Sequence, residues 1–205
     1  MPVGGKISAA LDYPVLDHLL RIEERRYTGD HCDALLRLQA AAQTCDVEIW
    51  VTETLSVEMA HGVMDCDVTL RRQAEANDDA KYRIARNMRA RRLRYPCSKY
   101  DDRFSLFELS LRYEGHDWQA ANALEERLLA VRGVSPGDAR HLVCCAYPFN
   151  AEDTTCRPTM HWFISEDRAL IDGVKSAVAR GQLPELAHLA FGSANDFVRA
   201  NLDRR

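Results

Sequence analysis

Apolar positions along the chain recur with two periods, and the switches between them mark the elements. The run Ile-Ser-Ala-Ala-Leu at 7–11 has the length and composition of a buried strand and stops at Asp12. Val15, Leu16, Leu19, Leu20 and Ile22 follow at helical spacing, which predicts a helix over 15–26. Thr28-Gly29-Asp30 turns the chain, and Leu35, Leu36 and Leu38 mark a second amphipathic helix over 32–42. Val-Glu-Ile-Trp-Val-Thr at 47–52 alternates and is rich in β-formers, so it reads as a strand, and 55–63 then reads as helical. Beyond a charged stretch, 105–113 reads as a short apolar helix and 118–131 as a longer one ending at Gly133. The turn Ser135-Pro136-Gly137-Asp138 opens a helix over 139–147. A strand at 162–165, a helix at 168–179 closed by Gly181, a strand at 186–191 and a helix at 195–202 complete the pattern.

Four strands alternating with helices predict an α/β fold, a three-layer α/β/α arrangement around a central parallel sheet. The 205 residues fit one domain, 1–205, carrying a charged, mainly helical insertion at about 65–117. There is no Gly-rich phosphate loop and no internal repeat. The net charge of −4 argues against polyanion binding by overall charge, so any nucleic-acid surface is local. No run reaches the roughly 18 apolar residues of a membrane span, and no signal-peptide pattern is visible, so the expectation is a cytoplasmic protein with no membrane partner. The seven cysteines are odd in number, scattered and without a CxxC pair, which predicts reduced, mostly buried thiols rather than a disulfide framework. A zinc site from His141, Cys144, Cys145, Cys156 and His161 has no recognisable ligand spacing.

In an open parallel sheet, chemistry collects at the carboxyl ends of the strands. Asp12 follows the first strand, Glu58 sits in the first turns after the second, and Asp138 stands at the start of a helix. Asp167, with Glu166 beside it, follows the strand Phe163-Ile164-Ser165. Each acid alone reads equally as a helix cap or a solvated side chain. Together they would repel unless cations neutralise them, and hard oxygen ligands suit Mg²⁺ or Mn²⁺, ions that support displacement at phosphorus.

The residues around these acids carry a resemblance. Leu11-Asp12-Tyr13-Pro14-Val15-Leu16 resembles the opening motif of PIN domains, and 54–63, with Glu58 and Gly62, is similar to their second motif. Asp138-Ala139-Arg140-His141-Leu142 resembles the third, and Phe163-Ile164-Ser165-Glu166-Asp167 the fourth. The tail, 189–198, also resembles the family, so the likeness covers about 6–63 and 118–202. It implies a metal-dependent endoribonuclease with a four-carboxylate site of Asp12, Glu58, Asp138 and Asp167. Glu166 would be a reserve ligand and Ser165 would orient a ligand or water. It also implies Mg²⁺ or Mn²⁺ as cofactor, RNA as substrate, and either a toxin paired with an antitoxin protein or a homodimer. Tyr13 and Pro14 stand where the family carries a small hydroxyl residue and Asn, which favours a second reading, a PIN-like RNA- or protein-binding module without activity. A phosphohydrolase or DNA nuclease is a third.

The clearest basic segment is 71–94, with nine Lys and Arg against Glu75, Asp78 and Asp79. Arg86, Arg89 and Arg92 are candidate RNA contacts there, against a solvated helix or a protein interface as the other readings. His141, Cys144 and Cys145 read as core or wall residues, and Trp50, Trp118 and Trp162 as packing.

Overall fold

The computed structural model describes residues 6–20, 30–52, 55, 106–109, 116–149 and 157–203. Glu58, Arg86, Arg89, Arg92, most of the helix expected at 55–63 and the rest of the basic segment lie outside the described residues.

Five parallel strands form one sheet. β1 (Ile7–Leu11), β2 (Val47–Thr52), β3 (Leu106–Leu109), β4 (Trp162–Ile164) and β5 (Ala190–Gly192) stand in the order β3-β2-β1-β4-β5. α1 (Tyr13–Leu20) and α2 (Asp30–Gln43) connect β1 to β2. α3 (His116–Leu129) and α4 (Pro136–Ala146) lead from β3 to β4, α5 (Arg168–Ala179) to β5, and α6 (Ala194–Asn201) ends the fold. The chain therefore winds outward from β1 to β3, then crosses back to start again on the other side of β1 at β4. That reversal opens a crevice at the carboxyl ends of β1 and β4, where an open α/β sheet binds its ligands.

Strand alternation builds two cores. Ala9, Leu11, Ile49 and Ile164 face α1, α2 and α6, packed with Leu35, Leu38 and Phe197. Ala10, Trp50, Leu109, Phe163 and Phe191 face α3, α4 and α5, packed with Leu124, Leu142 and Val174. Helices thus cover both faces of the sheet. β1 is central and buried on both sides, which explains its apolar end, Ala9-Ala10-Leu11, and the small residues Ala9 and Ala10 between two helical layers. Among the described residues no helix is long and apolar enough to cross a membrane.

Three expectations are corrected. Of the segment expected as a helix at 105–113, the described part, 106–109, is instead β3, paired to β2 from Ile49↔Leu106 to Thr52↔Leu109. Its four apolar-rich residues fit either period. The open edge of β2 decides, placing Leu109 and Phe107 together against the second core, so the sheet has five strands and part of the expected insertion is integral to it. The last strand is shorter than 186–191. Pro184 starts a 3-10 turn through Leu186, and only Ala190–Gly192 pair with β4. α4 begins at Pro136, not Ala139. Ser135 is its N-cap, Pro136 occupies the first turn without needing a backbone N–H, and Asp138 is the third residue of a capping box.

The thiols divide. Cys144 and Cys145 are fully buried, and burial pushes the Cys145 thiol up to about 12. Cys32 is half-buried, and Cys45 is exposed at φ 58, in the left-handed turn that ends α2. Trp50 stacks on Phe107 and Trp162 meets Phe197 edge-on, as packing residues.

Leu109→Ala tests the place of β3. A fully buried leucine cut to alanine in a joined core is expected to cost about 2–5 kcal/mol in urea unfolding. A loss under about 0.5 kcal/mol, the size of a typical surface substitution, would place 106–109 outside the sheet.

Candidate functional site

The site grows from the ends of two neighbouring strands. The backbone N–H of Asp12 donates to Ile164 O at 2.9 Å, and that of Ser165 donates to Gly192 O at 3.0 Å, so the ladder continues one residue past β1 and β4. Alternation then turns Asp12 and Ser165 to the same side as Ala10 and Phe163. The Ser165 hydroxyl donates to Asp12 Oδ2 at 2.6 Å and accepts from the Asp167 backbone N–H at 3.0 Å. The Tyr13 N–H donates to Asp12 Oδ1 at 2.7 Å. A fully buried hydroxyl thus fixes both the Asp12 carboxylate and the start of the turn that carries Asp167.

Asp12 is 5% exposed, and its pKa lies above the ordinary 3.8. Burial is the main cause, and the charges of Asp138 and Asp167 add to it, while the hydrogen bonds from Ser165 and Tyr13 oppose it. The fold therefore brings Asp138 and Asp167 each within electrostatic reach of Asp12. Asp138, half-buried, accepts from the Ser135 N–H through Oδ2 at 2.8 Å. Asp167, exposed, is the N-cap of α5 and accepts from the Ala169 and Leu170 N–H groups through Oδ1 at 2.8 and 3.1 Å. Each aspartate gives one oxygen to holding a helix start.

His141 stands one turn after Asp138 on α4 and is 1% exposed, with Nδ1 4.0 Å from Asp12 Oδ1. That separation is an ion-pair distance only for an imidazolium. Burial lowers the His141 pKa to about 4, with Asp138 acting in the other direction, so at neutral pH the ring is an uncharged wall beside Asp12. Its burial fits the expected core or wall reading, and the ring lies near Asp12 as its place beside Asp138 in the sequence suggested. Its i, i+3 spacing from Asp138 is the signal that placed it.

Glu166 does not join the three aspartates. One residue beyond Ser165, it turns to the opposite side of the sheet, where Oε1 accepts from the Ala194 N–H at 3.1 Å and lies 3.5 Å from His31 Nδ1. His31 Nε2 is in turn 3.1 Å from His18 Nδ1. This chain ties α1, α2 and α6 together, and Glu166 is absent from the charges that act on Asp12. The expectation that Glu166 backs up Asp167 gives way to the period of two at a strand end.

The donors are carboxylate oxygens of like-charged groups, one of them the buried Asp12, which suits a hard divalent cation in chemistry and in charge. Among the described residues, no three His, Cys, Asp or Glu side chains converge closely enough to hold an ion by themselves, while Cys156, one of the residues weighed for zinc, lies outside the described residues. Comparison of the chain with protein-family models, curated proteins and solved structures finds no match.

The raised Asp12 pKa fixes the sign of a pH effect. The folded state holds this proton more tightly than the unfolded chain, so the stability it contributes is full below about pH 3.8 and is lost as pH rises through the folded value. His141 works oppositely: its lowered pKa costs stability as pH falls from 6.5 towards 4. In metal-free buffer, Asp12→Asn is expected to melt above wild type at pH 7.5, the gap closing as pH approaches 4. A gap independent of pH in thermal melts would contradict this charge balance.

Proposed function

We propose that this chain is a PIN-like, Mg²⁺- or Mn²⁺-dependent endoribonuclease. The observation that carries the reading is the buried Asp12 at the β1–β4 crevice, held by Ser165 and coupled to the charges of Asp138 and Asp167. The parallel order β3-β2-β1-β4-β5 supports it, as do the places of Asp12 and Asp167 after β1 and β4. Asp12, Asp138 and Asp167 would hold the ion, with Glu58 as the fourth carboxylate. The ion, when bound, would supply Lewis acidity for in-line displacement at an RNA phosphodiester.

The chain's own residues prepare that chemistry. Ser165 locks the Asp12 carboxylate in one orientation and excludes water from its buried side. The neutral His141 wall lowers the local dielectric, which strengthens any charge interaction in the crevice. Ser135 and the α5 N-terminus keep one oxygen each of Asp138 and Asp167 in fixed hydrogen bonds, so the side chains lose little freedom on binding an ion. Action as a toxin held by an antitoxin belongs to the same reading.

A second reading, a module that binds RNA or protein without cleaving, is favoured by one observation: the three aspartates do not close on a common point among the described residues. Cleavage of mixed single-stranded and structured RNA with Mn²⁺ or Mg²⁺ decides between them. The nuclease reading predicts metal-dependent cleavage that falls more than about a hundredfold in Asp12→Asn and Asp138→Asn, and about 10–100-fold in Ser165→Ala. Folded wild type that cleaves no RNA with either ion would support the binding module, and cleavage confined to DNA would move the substrate class.

A further inference from the structure

A second feature lies on the outer face of the α3–α5 layer. An open cleft of about 640 Å³ runs between the end of α3 and the second half of α5, lined by Arg127, Arg132, Arg180, Ser176 and Gln182 with Val131, Ala130 and Gly173 between them. Three guanidinium groups and no acid line it, on a chain whose net charge is −4.

The arginines are placed by their surroundings. Arg180 donates to Ser176 Oγ at 2.6 Å and to Gln182 Oε1 at 3.2 Å, neutral partners that orient the group and leave its charge uncancelled. Arg127 donates to Gln182 O and is paired with Glu185. Arg132 is exposed on a loop that lies directly on α5. A Cβ on Gly173 would stand 2.4 Å from Arg132 O, and one on Gly133 would stand 2.8 Å from Ala169 O. The missing side chains let the loop sit against the first turns of the helix capped by Asp167. At about 1.5 Å per residue, Arg180 stands roughly 20 Å along α5 from Asp167. The basic cleft therefore runs along the helix that begins at the carboxylate site.

We infer that this cleft binds the sugar-phosphate backbone of single-stranded nucleic acid and leads the strand along α5 towards Asp167. Arg132 and Arg180 contact successive phosphates, and Val131, Ala130 and Gly173 lie against the sugars. A chain of fixed, spaced anions matches arginines strung along a helix, while the acidic cluster at the crevice repels a polyanion that carries no cation with it. The inference rests on the ribonuclease reading for the strand's destination and adds the surface that holds it.

The test is fluorescence-anisotropy binding of a labelled, mixed-sequence oligoribonucleotide in EDTA, where no cleavage occurs, from 50 to 200 mM salt. Arg132→Glu/Arg180→Glu is compared with Arg37→Glu/Arg199→Glu, the same charge change on the α2 and α6 side. The cleft variant is expected to lose at least about tenfold in affinity and about 1.4 in log–log salt slope, 0.7 for each phosphate contact removed. The control pair is expected to lose much less of each. Equal losses in both pairs, an unchanged slope in the cleft variant, or wild type that captures an acidic peptide and no oligoribonucleotide would overturn the assignment. Because binding is read without metal, a dead carboxylate site leaves this result standing, and cleavage by a cleft variant with intact binding refutes the cleft alone.

Discussion

Asp12 is a carboxylate that the fold has almost entirely removed from water, between the ends of two strands that meet only because the chain reverses its winding at β1. Two short hydrogen bonds, from the Ser165 hydroxyl and the Tyr13 N–H, compensate part of the burial, and the charges of Asp138 and Asp167 work against it. Everything else about the crevice follows from keeping that group in place. Ala9 and Ala10 let helices close on both faces of β1. The ladder runs one residue past β1 and β4 to align Asp12 with Ser165. The same hydroxyl accepts from Asp167 and so begins α5. A protein seeking only stability would have no use for a buried, repelled carboxylate here, and this tension between stability and charge supports the proposed site.

The two sides of the sheet are put to different uses. Towards α4 and α5 the strand ends present Asp12 and Ser165, beside Asp138 and a neutral His141. Towards α2 and α6 they present Glu166, which takes the first N–H of α6 and the neighbourhood of His31. One acid thus fastens helices while its neighbours, one residue away on either side, stay with the crevice. The arginine-lined cleft takes up the second half of α5, from Gly173 to Arg180, and Asp167 caps the start of the same helix, so opposite charges lie in sequence along it.

Much of this was legible in the sequence. The bounds of α5, 168–179, follow from its periodicity and from Gly181, and the strand-end positions of Asp12 and Asp167 follow from the β-to-α switches. β3 was hidden because four apolar-rich residues satisfy either period, and the edge of β2 that settles the choice is distant in sequence. Asp138 was misread as opening its helix, although Ser135-x-x-Asp138 is a capping-box pattern and Pro136 suits a first helical turn, so the earlier start was open to reading. Glu166 could have been assigned from alternation alone, since Ser165 and Glu166 must face apart. The cleft was not legible at all: Arg127 and Arg132 are far in the chain from Arg180, and the close approach at Gly173 that aligns them is a tertiary contact.

The central claim is that the buried Asp12 anchors a divalent-cation site. Calorimetric titration of Mn²⁺ into wild type, Asp12→Asn and Glu166→Gln measures it directly. The account predicts saturable binding by wild type, binding abolished in Asp12→Asn and binding retained in Glu166→Gln, whose carboxylate faces the other side of the sheet. Folded wild type that takes up no Mn²⁺, or binding that survives Asp12→Asn unchanged, would contradict it.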